Sequence, residues 1–270
     1  MPVNFITFLS DFGYTDDFVG TCHGVIKTIA PDVEIIDITH GVRRHDVQGG
    51  ALILANTLPY MPESVILAVV DPGVGSGRRP LALRTASGRF LVGPDNGLLS
   101  LATKELGGPA EAVELACSSY SLPEVCKTFE GRDLFAPVAA HIYLGVGLAS
   151  LGAPVALESL QQIELPVPVV EKGAVTASVI YIDRFGNVQL NLKRNQLEEA
   201  GAKAGSALLV SHDQESWLVP FVYAYGDVEP EHLLIFEDSY HNISFSVNQG
   251  NAAHIFQIQV GDEMKFSLPA

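Results

Sequence analysis

The sequence predicts an α/β N-terminal domain with a mainly parallel sheet, followed by a smaller all-β, barrel-like C-terminal domain. Three observations carry this expectation. From the N-terminus to about residue 150, short β-branched runs alternate with helical periodicity, the order of a βαβ architecture. Residues 150 to 170 contain Gly152, Pro154, Pro166 and Pro168, the composition of a linker. Beyond that point the pattern becomes a series of short alternating segments, as in a sandwich or barrel. The expected boundaries are 1–150 for the α/β domain, 151–170 for the linker and 171–270 for the β domain.

In chain order, "NFITFL" reads as a strand, "SDFGYTDD" as a polar loop, and Phe18 to Ile29 as a helix ended by Pro31. "VEIIDIT" is a second buried strand, and a helix is expected around His45 to Leu58. "SVILAVV" is almost wholly apolar, as in a strand covered on both faces. In open α/β sheets ligands bind outside the carboxyl ends of the strands, which directs attention to the loops opening at Ser10, His40 and Asp71. "LALRTA" and "RFLVG" read as strands, "PDNGLLSLATKELGG" as a turn and helix with a glycine stop, and a long helix is expected from near Gly131. The β domain is read from "VTASVIYI", "VQLNL", "ALLVS", "WLVPFVYAY", "HLLIF", "ISFSV" and "IFQIQV".

Composition excludes several classes of function. The 270 residues include 16 basic and 31 acidic side chains, a formal charge of −15, which repels nucleic acid and anionic membrane and suits a small cationic ligand. Cys22, Cys117 and Cys126 are too few and too unpatterned for a disulfide framework or a zinc site, consistent with a reducing cytoplasm. "MPVNFITFL" lacks the basic start and long apolar core of a secretory signal, and the apolar stretch from His141 to Leu157 is too broken by glycine and proline to span a bilayer. The eight histidines lack metal-ligand spacing, so neither a metal nor a further cofactor is expected.

Five stretches carry chemistry. In "SDFGYTDD", Asp16 or Asp17 can cap the following helix, whereas Asp11 follows directly on an apolar strand, placed to accept hydrogen bonds from a diol or to face a cation. In "VVDPGVGSGRRP", the glycines let backbone approach a ligand, and Asp71 and Arg78 can fold toward each other. A dinucleotide fingerprint would open into a helix, but here a strand follows. In "TFEGRDLF", Glu130 and Asp133 enter a buried helix, where the helix dipole alone favours acidic residues. In the β domain, "DRFGN" and "SVNQGNAA" have turn composition, and Phe185 with Asn187 also offers a flat apolar face and an amide for a heterocycle.

"FLSDFGYTDD", "VVDPGVGSGRRP", "VGPDNGLLS", "FEGRDLFAPVAAH", "DRFGN" and "NQGNAA", in that order, resemble the S-adenosylmethionine hydroxide adenosyltransferases, relatives of the fluorinase and chlorinase enzymes. The resemblance implies hydrolysis of S-adenosyl-L-methionine to adenosine and methionine, by a homotrimer with sites between subunits. It places Asp71, Arg78 and Glu130 in the catalytic group, with Glu130 standing where the hydrolases usually carry histidine in "TFHGRD". It gives Asp11 the ribose diol and Asp16 the methionyl ammonium, and adds Phe129, Phe185, Asn187, Ser239, Asn248 and Gly250 to the substrate-binding residues. Two rivals stand beside hydrolysis: a halogenase, disfavoured by the negative charge of Asp71 and Glu130, and a non-catalytic binder of S-adenosylmethionine or adenosine.

Overall fold

The computed structural model describes residues 4–116 and 119–269, so Cys117 lies outside the described residues. The chain divides into two compact units, Met1–Ile163 and Glu164–Ala270. The first contains β1 (Phe5–Ser10), α1 (Phe18–Ile29), β2 (Glu34–Thr39), α2 (Val47–Thr57), β3 (Ser64–Val69), β4 (Pro80–Thr85), β5 (Phe90–Pro94), α3 (Ser100–Glu105), β6 (Pro109–Leu115), α4 (Ala136–Tyr143) and β7 (Gly152–Pro154).

These strands form a seven-stranded sheet in the order β2-β1-β3-β5-β4-β6-β7. The sheet is mixed, which corrects the expectation of a mainly parallel one. Pairing is parallel from β2 through β1 and β3 to β5, and antiparallel from β5 through β4 and β6 to β7. The cause is the short link between β4 and β5, where Gly88 at φ +87° donates its N–H to Thr85 O. A link of that length closes a hairpin and is far too short for a parallel crossover. Strand periodicity then divides the core. Val65, Leu67 and Val69 of β3 pack with Cys22 and Ile26 of α1 and Val138 of α4, while Ile66 and Ala68 pack with Leu54 of α2 and Ala102 of α3. Because β1, β2 and β3 are parallel, the loops after them open at one edge of the sheet.

The second unit contains β8 (Val169–Glu171), β9 (Ala174–Ile182), β10 (Val188–Leu190), α5 (Arg194–Glu199), β11 (Ala207–His212), β12 (Glu215–Pro220), β13 (Leu233–Glu237), β14 (Ile243–Val247), α6 (Ala252–Ile255) and β15 (Glu263–Ser267). Its eight-stranded sheet runs β12-β11-β15-β9-β10-β14-β13, with β8 also on β9. It nearly closes into a barrel, because the chain leaving β12 bridges Phe221 to Ile235 of β13 and Val222 N–H donates to Ile235 O at 2.9 Å. "IFQIQV" is not a strand. Asn251 accepts the His254 N–H and starts the single helical turn α6, and Gln257 then takes φ +54°, so the alternation of that stretch is not the alternation of a pleat. The last strand is instead β15, where Met264 and Phe266 point inward. Part of the expected linker packs within the first unit: β7 pairs with β6, and Ile163 N–H donates to Ser100 Oγ at 3.1 Å.

Candidate active site

Asp71 follows β3 by two residues, and its carboxylate is gripped by Arg78 seven residues on. The Arg78 Nε lies 3.0 Å from each Asp71 oxygen, and Nη2 donates to Asp71 Oδ2. The same Nη2 donates to Glu130 Oε2, so one guanidinium is shared by two carboxylates. All three side chains are largely enclosed, at 6% (Asp71), 10% (Arg78) and 15% (Glu130) exposure. Burial works against the Arg78 charge, but the hydrogen bonds and charges of Asp71 and Glu130 outweigh it and hold its pKa above the ordinary arginine value. The guanidinium also lies 5.4 Å from the centroid of the Phe135 ring.

The local sequence explains how the loop turns so tightly. Val74 N–H returns to Asp71 O and Ser76 N–H to Gly73 O, two successive turns that bring Arg78 back to the strand end. Gly75 sits at φ +74°, and a Cβ there would stand 2.8 Å from the carbonyl oxygen of Lys127. Only glycine permits both that conformation and that approach. Arg79, next to Arg78, anchors the far end of the loop by donating to Asp95 Oδ2 and to Ser159.

Glu130 enters the site from a π-helical turn, Gly131–Phe135, that runs into α4. The turn has an identifiable cause. Pro137 has no N–H, so the carbonyl of Asp133 four residues earlier loses its α-helical donor, and it accepts the Leu122 N–H at 2.9 Å. The Asp133 side chain is wholly buried, where it pairs with Arg132 and accepts the Cys126 N–H at 2.8 Å. Burial raises its pKa, but Arg132 and the Cys126 N–H lower it further, leaving the carboxyl below the usual aspartate range. Asp133 therefore fastens segment 122–126 to the turn that presents Glu130.

The loop after β1 holds the other expected contacts. Asp11 Oδ2 accepts the backbone N–H of His45 at 3.1 Å, a residue at φ +65° just ahead of α2. Asp16 is exposed, and Asp17 accepts from the Thr21 hydroxyl at 3.0 Å on the first turn of α1. Phe129 packs edge-on to Phe12 and Phe18, with ring centroids 5.8 and 5.1 Å away. A Cβ at Gly131 would stand 2.9 Å from Phe12 Cζ, so glycine lets the Glu130 turn sit against this aromatic group. Phe12, Phe18 and the His45 N–H were not singled out from the sequence; the apolar residues flanking the aspartates of "SDFGYTDDF" were the available signal.

In the second unit, Asp183 organises a turn by accepting N–H bonds from Phe185 and Asn187 and the Asn187 side-chain amide. Phe185 is left 69% exposed. Gly186 lies against Asn251 and accepts the Ala253 N–H at 3.0 Å, which brings Phe185 and Asn187 beside the Asn248–Gly250 turn. Asn248 is nearly buried, its amide donating to Val228 O at 2.8 Å, and the Gly250 N–H donates to Val247 O. Ser239 is exposed in the turn that precedes β14, at the opposite end of that strand from Asn248.

Buried carboxylates sharing a guanidinium at the carboxyl edge of a sheet can polarise a water molecule and take its proton, so the class is an α/β enzyme of hydrolytic chemistry. The chain belongs to the SAM hydroxide adenosyltransferase family. Residues 6–152 match the family's N-terminal domain and residues 177–265 its C-terminal domain. It is 43% identical to an (R)-S-adenosyl-L-methionine hydrolase of Salinispora tropica over 98% of both chains. A fluorinase of an Actinoplanes species is 31% identical, over 74% of this chain and 76% of its own. A conserved protein of Thermotoga maritima of known crystal structure superposes with a TM-score of 0.89 and 34% identity, covering 97% of this chain and 99% of that one.

Proposed function

We propose that the protein hydrolyses S-adenosyl-L-methionine to adenosine and L-methionine by in-line attack of water at ribose C5′. The observation that carries this reading is the shared guanidinium: Asp71 and Glu130 both engage Arg78, with all three side chains largely enclosed. As the C5′–O bond forms, the C5′–S bond breaks, its electron pair stays on sulfur, and methionine leaves as a neutral thioether. No acid is needed for that departure. The site has only to orient a water molecule and accept its proton, which passes to a carboxylate and then to solvent. Arg78 stabilises the developing hydroxide, Asp71 orients the water, and Glu130 accepts the proton. A carboxylate suits that task because it is an acceptor only.

Asp11 holds the ribose diol and Asp16 the methionyl ammonium, with Phe129 forming an aromatic wall. Phe185, Asn187, Ser239, Asn248 and Gly250 contribute through a neighbouring copy in a homotrimer, and the protein works in the cytoplasm without a cofactor. Identity of 43% to a relative named for the (R) epimer supports that epimer as substrate. The test is turnover: purified protein given each separated sulfonium epimer is expected to release adenosine and methionine in equal amounts from the (R) form. Tight binding without release would establish the non-catalytic reading instead. A 5′-halo-adenosine formed in the presence of fluoride or chloride would establish the halogenase.

A further inference from the structure

Beneath the Asp11 loop lies a second polar cluster that hydrolysis does not use. His23 of α1, Asp37 of β2 and His40 just past β2 converge there. Spacing along the chain gives no hint of it, since the three residues come from a helix, a strand and a loop. Asp37 and His40 are three apart, which on a regular strand points them to opposite faces. The β1–β2 register shifts between Phe8, opposite Asp37, and Leu9, opposite Thr39, and this extra residue brings the two side chains to one side.

The donor atoms are close. His23 Nε2 lies 3.0 Å from Asp37 Oδ1, and His40 Nε2 lies 3.1 Å from the same oxygen. All three ligand atoms fall within 4.8 Å of one another. His23 makes a hydrogen bond to Asp37. His40 is fully buried, and its Nε2, close to the carboxylate but out of line with it, has no hydrogen-bond partner. A buried nitrogen so poorly aligned with the carboxylate beside it is only partly compensated, and a cation between the two would complete it. The other ring nitrogen is already held: His40 Nδ1 lies 2.6 Å from Ser10 Oγ, which also accepts the Phe12 N–H at 3.3 Å. Phe8 and Tyr14 pack edge-on against the same imidazole, with centroids 4.6 and 5.2 Å away.

We propose that His23, Asp37 and His40 form a binding site for a divalent transition-metal ion of the zinc type. The ligand set is two imidazoles and a carboxylate, which suits zinc, cobalt or nickel better than the all-oxygen preference of calcium or magnesium. Bound metal selects the tautomer in which His40 Nδ1–H donates to Ser10 Oγ and Nε2 presents its lone pair, the usual outer-shell arrangement of a metal-ligating histidine. Tetrahedral bonds of about 2.0 Å place ligand atoms about 3.3 Å apart; both contacts to Asp37 Oδ1 are already near that spacing, and the two imidazole nitrogens, within 4.8 Å of each other, need only draw together. The His23 side chain, 31% exposed, is at the accessible edge and supplies that movement. A water completes the fourth position. The ion would tie α1 to the loop of Asp11, because His40 O already accepts the Gly13 N–H at 2.7 Å.

Cobalt(II) reports the site directly. The full chain, stripped with chelator and exchanged into chelator-free buffer, is titrated with Co2+ and followed by visible absorption. One equivalent is expected to give the intense bands of a four-coordinate ion and to be displaced by Zn2+. His23→Ala and Asp37→Asn are expected to weaken Co2+ binding by ~100-fold or more, whereas Arg78→Ala leaves it unchanged. Both substituted positions are partly exposed, and thermal melts of the two variants establish that they fold. Absence of a stoichiometric Co2+ band in the wild type overturns the proposal. So does equal Co2+ binding by folded His23→Ala, or binding kept in His23→Ala and strengthened in Arg78→Ala, which would assign the ion to the Asp71–Glu130 carboxylates freed of their guanidinium.

Discussion

Arg78 holds two carboxylates at once, and its replacement separates chemistry from binding. Arg78→Ala leaves Asp71 and Glu130 facing each other with no cation between them and removes the donor proposed to stabilise the nucleophile. Turnover is expected to fall by ~100-fold or more, read as kcat for adenosine release. A normal rate in this variant would end the assignment. At position 130, alanine is expected to lose ~100-fold because no proton acceptor remains, while Glu130→His is expected to stay within about tenfold of the wild type. Asp133 belongs to the scaffold. The sequence left its role open between helix dipole and chemistry; the structure shows a buried anchor for Cys126 and Arg132. Asp133→Ala is expected to cost about 2 kcal/mol in urea unfolding. Because the folded pKa is lowered, the carboxylate's contribution is complete above the ordinary value of about 3.9 and is lost as pH falls below it. The stability gap between wild type and variant should therefore narrow below about pH 4. The convergence of Asp71, Arg78 and Glu130 was legible from their motifs, whereas the poorly partnered Nε2 of His40 was not, because it depends on which way a ring points.

At the scale of elements, the loop from Asp71 to Arg78 works because one glycine permits what other residues forbid. Gly75→Ala adds a Cβ 2.8 Å from Lys127 O at a φ of +74°. The loop must withdraw from segment 127–130, and Arg78 leaves Glu130 while its bond to Asp71, made within the same loop, survives. Turnover is expected to drop at least tenfold with a thermal midpoint lowered by only a few degrees, since the loop is exposed and adds little to the core. Preserved kcat in Gly75→Ala would show that the approach to Lys127 is not needed. The same distinction between local and tertiary causes decides which elements could be read from sequence. The limits of α1 follow from its periodicity and Pro31, and β3 follows from its unbroken apolar run. Strand β6, "PAEAVEL", has few β-branched residues and exists because β4 offers it an edge. The π turn is set by Pro137 and by the distant donor Leu122, a pairing that periodicity does not reveal. In the second unit α5 was missed for a simpler reason: a domain read as all-β left no place for "RNQLEE".

At the scale of the whole molecule, the formal charge of −15 is the property most directly tied to substrate class. S-adenosylmethionine carries a sulfonium, an ammonium and a carboxylate, a net charge of +1. A field of the opposite sign raises its local concentration and its rate of encounter, and this contribution is screened by salt. Raising ionic strength from about 0.01 M to about 1 M shortens the Debye length from roughly 30 Å to roughly 3 Å. Within the active site the guanidinium and both carboxylates are in contact and enclosed, so their mutual interactions are screened far less. Salt should thus act on capture and spare the chemical step. Steady-state assays across that range, with a non-interacting salt, are expected to show kcat/KM falling several-fold while kcat changes by less than about twofold. The opposite pattern, a falling kcat with constant kcat/KM, would mean that salt reaches the Asp71–Arg78–Glu130 cluster itself. The enclosure of that cluster would then be breached during turnover, and water activation could not depend on its ion pairs.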